Sequence, residues 1–243
     1  MSDDDILIKQ DGPILRITLN RPDHGNGATD PMATTLTETL LKAGETSRLV
    51  VLTGNGKDFC VGRAGMGQRP AVDPEALVRR RQSEVIFNSY AAFRAATVPV
   101  IAVVRGLAAG YGCAIAGVAD ITVAAESAKF QIPEMSHRIM PTMVMSALMD
   151  RVSRKDLTYL VYSCATISAT RAREAGIVTE VVPDGELDAF VDALCKRIIE
   201  TPAIATDSAK EFLRRAFTMD VPSAVDFARN IHAVINSSSE MRK

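Results

Sequence analysis

Alternation marks the start of the chain. Leu15, Ile17 and Leu19 are apolar, while Arg16 and Thr18 between them are polar. A period of two places 14–19 in a half-buried strand. With the apolar 6–8 stretch and Asp11-Gly12-Pro13 between the two, it predicts a hairpin. Uninterrupted apolar runs follow at Leu49 to Leu52, Val98 to Val104 and Ile121 to Ala124. Short, β-branched runs of this kind predict strands buried on both faces. Elsewhere the period lengthens. Asp30-Pro31 is a helix start, and Met32, Leu36 and Leu40 share one face beyond it. Asp73-Pro74 predicts the start of a long helix reaching about Ala96, with Leu77, Ile86, Tyr90 and Phe93 turned inward. Helices are expected over 142–151, 154–162 and 168–175, the last stopped by Gly176. A strand over 177–182 ends at Pro183. Beyond it the pattern is helical over 186–200, 203–217 and 221–236, with a frayed SSSEMRK end. The chain therefore reads as α/β, with a strand-and-helix part over 1–183 and a helical region over 184–243. It has no low-complexity tract and no visible repeat.

Composition narrows the classes. A chain of 243 residues with 47% hydrophobic and 23% charged residues can bury a full core. A net charge of −1 supplies no electrostatic reason to bind nucleic acid or an anionic membrane. The four cysteines, Cys60, Cys113, Cys164 and Cys195, have no paired spacing, and the three histidines stand at no ligand spacing. Neither a disulfide frame nor a metal site is expected. The beginning, MSDDDILIKQ, is acidic where a secretion signal would be basic, and no apolar run approaches about 18 residues. A cytoplasmic protein is expected.

The chemistry concentrates between Val98 and Glu134. The Val98–Val104 run leads into GLAAGYGC, with Gly106, Gly110 and Gly112, and then into a run of small residues of helical character. A glycine-rich turn at a helix start leaves backbone N–H groups pointing outward, where the helix dipole favours negative charge. It can hold a phosphate, or an oxygen that becomes negative during reaction. About twenty residues on, Glu134 is an isolated carboxylate in Gln131-Ile132-Pro133-Glu134. An anion hole with one carboxylate points to proton abstraction beside a carbonyl.

The same residues carry a family likeness. V-P-V-I-A-V-V-x-G-x-A-x-G-x-G-C, then A-D-I-x-x-A, then F-x-x-P-E resemble the crotonase (enoyl-CoA hydratase/isomerase) superfamily. Asn20-Arg21-Pro22 with Asn26 resembles its N-R-P-x-x-x-N-A stretch. Leu52-Thr53-Gly54 and Phe59-Cys60-Val61-Gly62 resemble its L-T-G…F-C-x-G loop. Ala172-Gly176-Ile177-Val178 with Val181-Val182 resembles its A-x-x-x-G-L-V-x-x-V stretch. The likeness is collinear from about residue 14 to 183. It implies a crotonase-like ββα spiral core, with a helical C-terminal region that makes a homotrimer or homohexamer.

It also implies roles. Two backbone N–H groups, of Arg63 and Tyr111, would polarise a thioester carbonyl. Glu134 would carry the proton. Coenzyme A would lie along Asp23, His24, Gly25, Val61, Arg63, Ala64 and Gly110, entering as part of an acyl-CoA substrate with no separate cofactor. Hydratases of the family carry a second glutamate directly after G-G-G-C; this chain has Ala114. His137, three residues past Glu134, is either a second acid–base group or a turn residue, and the turn is favoured. Arg63 and Arg138 are candidates to meet a negative acyl group. Lys210, Arg214 and Arg215 are candidates for CoA phosphates, with a solvated helix face favoured for each. Met140, Met143, Met145 and Met149 are expected in the core rather than at substrate.

Three functional readings stay open. The first is an acyl-CoA enzyme of the enoyl-CoA hydratase/isomerase type with one glutamate base. The second is a hydroxycinnamoyl-CoA-type hydratase/lyase, or another acyl-CoA lyase or hydrolase. The third is a non-catalytic acyl-CoA-binding protein of the same fold.

Overall fold

The computed structural model describes residues 5–65 and 75–242. Strands β1 (Ile6–Asp11) and β2 (Ile14–Leu19) form the expected antiparallel hairpin. β2 buries Leu15, Ile17 and Leu19 on its inner face. β3 (Leu49–Gly54), β4 (Val100–Val104), β6 (Ile121–Ala125) and β9 (Glu180–Val182) continue the sheet in parallel, in the order β1-β2-β3-β4-β6-β9. All five residues of β4 are buried, as an apolar run in a covered parallel sheet requires.

A second sheet of three very short strands stands beside it: β5 (Leu107–Ala109), β7 (Lys129–Gln131) and β8 (Ile167–Ser168). β4 passes directly to β5, and β6 passes through a tight turn to β7. The segment after β3 joins in the same way through a single bridge, Cys60 pairing with Ala108 in parallel. Each turn of chain thus lays one strand in the large sheet and one segment beside the small sheet before its helix. The small sheet was not expected from the sequence: strands of two or three residues are too short to show a period.

Helices α1 (Asp30–Lys42) and α2 (Ala76–Ala95) pack on each other. α1 is capped one residue before the Asp30 expected for that role: Thr29 Oγ1 accepts the Met32 N–H at 3.3 Å, and Asp30 is already the first helical residue. The proposed Asp73-Pro74 start of α2 lies outside the described residues. Ile86, Tyr90 and Phe93 are buried as expected, but Leu77 is 65% exposed. It sits in the first turn of α2, before the core contact begins.

α3 (Tyr111–Val118) is buried on every face, consistent with its small apolar residues. Beyond it come α4 (Thr142–Leu148), α5 (Arg154–Ser163) and α6 (Ala169–Ala175), the last ended by Gly176 in the left-handed region. Met143 and Met145 pack against the core, whereas Met140 and Met149 are exposed. The C-terminal region is α7 (Leu187–Glu200), α8 (Ala203–Ala216) and α9 (Val221–Asn236), followed by a 3₁₀ turn over Ser239–Arg242 where fraying was expected. α7 lies on the sheet, while α9 buries no residue.

Lys210 corrects an expectation. It is 7% exposed, and its Nζ donates to Asp120 Oδ2 at 2.8 Å and to the carbonyls of Val98 at 2.7 Å and Phe93 at 3.3 Å. It ties α8 to the end of α2 and the start of β4. Arg214 and Arg215 both pair with Glu211. This trio therefore presents no open row of cations to a phosphate.

Candidate active site

Hydrogen bonds stitch the N-terminal loop to the loop after β3. Asn26 is fully buried. Its Oδ1 accepts the Arg21 N–H at 2.8 Å, and its Nδ2 donates to the carbonyls of Asn55 at 2.8 Å and Asp58 at 2.7 Å. Gly25 offers its carbonyl to the Val61 N–H at 2.9 Å. Asp58 Oδ1 accepts the Leu107 N–H at 2.9 Å, which joins β5 to the same loop. Cys60 and Ala109 then pair, the Ala109 N–H reaching the Cys60 carbonyl at 2.9 Å.

These ties bring two turns side by side. Gly62, with φ of +123°, precedes Arg63; Gly110, with φ of +49°, precedes Tyr111. Gly112 is packed so closely that a Cβ there would stand 2.0 Å from the Cys60 carbonyl oxygen. A side chain at 112 would force the two turns apart. Among the described residues, neither the Arg63 nor the Tyr111 backbone N–H has an acceptor. Tyr111 is the first residue of α3, where an unsatisfied N–H is normal and the dipole is positive.

Glu134 opens a short 3₁₀ turn after β7. It is 6% exposed, and its Oε2 is fully buried with no hydrogen-bond partner among the described residues. Burial raises its carboxyl above the usual range, because desolvation penalises the charged form. Ala114 is fully buried one helical turn beyond Tyr111 and contributes no polar group. The position where a two-carboxylate arrangement would carry its second group is therefore apolar.

A groove of about 580 Å³ runs from the N-terminal loop past these turns. His24, Val61, Arg63, Ala64 and His137 line it. Arg21, Leu107, Gln131 and Pro133 line it too and were not anticipated; Arg21 stood in the quoted N-R-P motif, the clearest available signal. Asp23, Gly25 and Gly110 are not among the residues that line it, though Asp23 and Gly25 belong to the same loop as His24. His137 is exposed and makes no side-chain hydrogen bond among the described residues. The Arg63 guanidinium is held by Asp30 at 2.6 Å, so it is turned toward α1. Arg138 is exposed in a left-handed turn. Among the described residues, no three His, Cys, Asp or Glu side chains are placed to hold a metal. Burial pushes the Cys60 thiol to about 11 and the Cys113 thiol to about 12, so neither is a nucleophilic thiolate near neutrality.

Comparison with known proteins identifies the family and the fold. The enoyl-CoA hydratase/isomerase family model matches residues 9–243. The chain is 27% identical to 2,3-dehydroadipyl-CoA hydratase of Escherichia coli K12, over 97% of this chain and 92% of that one. It is 28% identical to 1,2-epoxyphenylacetyl-CoA isomerase of the same organism, over 98% and 92%. Among solved structures, an enoyl-CoA hydratase of Mycobacterium smegmatis superposes with a TM-score of 0.90 at 27% identity, over 97% of this chain and 92% of that one. A Thermobifida fusca protein solved with acetoacetyl-CoA superposes at 0.84 with 30% identity, over 95% and 94%. The two-sheet spiral is thus the crotonase fold, and the chain belongs to the enoyl-CoA hydratase/isomerase family.

Proposed function

We propose that the protein acts on an acyl-CoA thioester by forming an enolate, with Glu134 as the one carboxylate base. The carrying observation is the buried, unpartnered Oε2 of Glu134. A buried acceptor without a donor is costly to keep. Its retention is explained by a proton that arrives with substrate.

The thioester oxygen would accept the N–H groups of Arg63 and Tyr111. Charge that develops on it is stabilised by donors already in place, with no reorganisation during reaction. Glu134, made more basic by burial, takes a proton from the acyl chain and returns it at another carbon, or activates a water. Coenzyme A would lie in the groove past His24, Val61, Arg63 and Ala64, supplying binding energy remote from the reacting carbon. It comes and goes with the substrate, so no separate cofactor is required. The complex of the Thermobifida fusca relative with acetoacetyl-CoA supports this choice of ligand. His137, exposed and unbonded, serves the groove rim rather than the proton transfer.

The test is Glu134→Gln, assayed on a panel of short enoyl-CoA and saturated acyl-CoA esters. Turnover, and solvent-deuterium exchange at the carbon beside the thioester, should fall by about 10²–10⁴-fold. Affinity for the esters should stay within a few-fold. Unchanged exchange in the variant removes Glu134 as the base. Binding of the panel with no exchange in the wild type turns the assignment to a non-catalytic acyl-CoA binder.

A further inference from the structure

In the proposed reaction the Tyr111 N–H meets the thioester oxygen, so the direction of one peptide group matters. That peptide joins Gly110 to Tyr111. Its carbonyl accepts the Ala114 N–H at 2.9 Å, and the Gly110 N–H reaches the Gln131 carbonyl at 3.0 Å. Gly110 sits at φ of +49° and ψ of −115°, a shape that favours glycine. Gly110 and Gly112 have no side chain with which to grip a neighbour. Position 111, where the resemblance has the middle glycine of G-G-G-C, carries one in this chain.

The Tyr111 side chain reaches α2. Its hydroxyl pairs with Ser89 Oγ at 2.6 Å, and its ring stacks on Tyr90, with centroids 5.5 Å apart and planes at 28°. Ser89 is fully buried, and both tyrosines are 3% exposed. Two contacts of different kinds thus fix one ring. The stack sets its plane, and the hydroxyl bond sets its reach. α2 is a helix of 20 residues whose inner face also buries Ile86 and Phe93. It is a long support beside α3, a helix of eight residues that begins at Tyr111.

We propose that the Tyr111 side chain is a positioning group: tied to Ser89 and stacked on Tyr90, it holds the Tyr111 N–H at the angle that a developing enolate oxygen requires. The proposal rests on the reading of that N–H as a donor to the enolate. A preorganised donor is effective only as far as its supports lock it in place. α2 thereby enters the site through one side chain of the turn.

The experiment compares wild type, Tyr111→Phe, Ser89→Ala, the double variant and Glu134→Gln in α-proton exchange of acyl-CoA esters. All three tether variants lose the same bond. Their kcat should fall about tenfold alike, with KM within about threefold. The thermal midpoint should behave differently. Either single change strands a buried hydroxyl and should lower it, whereas the double change removes both hydroxyls and should recover most of the loss. A further readout is bound acetoacetyl-CoA, whose ionisation to the enolate is followed by ultraviolet absorption against pH. A donor held less firmly stabilises the enolate less. The midpoint of that ionisation should rise by about one pH unit in all three tether variants, matching the tenfold loss of rate. Wild-type kcat with wild-type enolate ionisation in Tyr111→Phe would overturn the proposal. So would a double variant whose kcat returns together with its thermal midpoint. If Glu134→Gln still loses exchange in those cases, the enolate reading stands without the tether. A wild type that neither exchanges nor ionises bound acetoacetyl-CoA removes the enolate reading first, and the proposal with it.

Discussion

At the scale of single residues, function and stability oppose each other at Glu134. Its carboxyl is raised above the ordinary 4.5 by burial. Just above pH 4.5 the folded chain therefore keeps a proton that the unfolded chain has released. Stability falls as pH rises through that window. Glu134→Gln carries no charge on either side of it. The variant should match wild type near pH 4.5 and exceed it at pH 8 by about 1 kcal/mol, or roughly 2–4 °C in midpoint. Calorimetric melts at the two pH values check this, since other carboxylates contribute to both proteins alike. An equal difference at both pH values would mean that the gain is not electrostatic. Glu134 was legible in the sequence because it stands alone in an apolar and neutral segment. Tyr90 was legible only as a core residue. A buried aromatic at helical spacing shows its ring in the pattern, but not the Tyr111 ring that it stacks on. Lys210 misled for a related reason: sequence shows a cation on a helix, while the carbonyls of Phe93 and Val98 and the carboxylate of Asp120 that draw it inward are more than 85 residues away.

At the scale of elements, the site depends on two backbone turns held in contact. Gly112 is where they touch, and its missing Cβ leaves room for the Cys60 carbonyl. Gly112→Ala must displace the start of α3 from the Cys60 segment. We expect a loss of about 1–3 kcal/mol in stability, typical of overpacking. The larger effect should be on rate. A shift of about 1 Å between the Arg63 and Tyr111 N–H groups can cost about 100-fold. A denaturant melt and kcat on the panel substrate read the two effects separately. Wild-type kcat in a folded Gly112→Ala variant would argue against the paired N–H groups as the oxyanion site. The long elements were legible because burial imposes its period over several turns: β2, β3, β4 and the helices from α4 to α9 lie within a few residues of expectation. β5, β7 and β8 were not, since their strands exist through pairing with distant segments rather than through any local pattern. The small sheet nonetheless carries the turns of the site, so the motif residues were visible while the frame that assembles them was not.

At the scale of the whole molecule, the described surface has an apolar face on α8 and α9. Leu213 on α8, Phe217 just past its end, and Val221 and Val225 on one side of α9 are exposed, Phe217 at 84%. α9 packs on α8, with Phe227 stacked on Phe212, but buries none of its residues completely. Large apolar surface of this kind on a water-facing helix pair calls for a covering surface. We expect the cover to be further copies of the chain, in the trimer or hexamer that the resemblance implied. Self-association is economical here because the same helices supply both sides of the contact in every copy. Light scattering at micromolar concentration should then give about three or six chain masses. Phe217→Asp with Val225→Asp would bury two unpaired charges in such an interface, each costing far more than the apolar contact it replaces. The double variant should run as a single chain, with the spiral core intact by circular dichroism. A wild type that stays at one chain mass across concentration would refute the assembly. An unaltered assembly in the double variant would place the interface elsewhere than on α8 and α9.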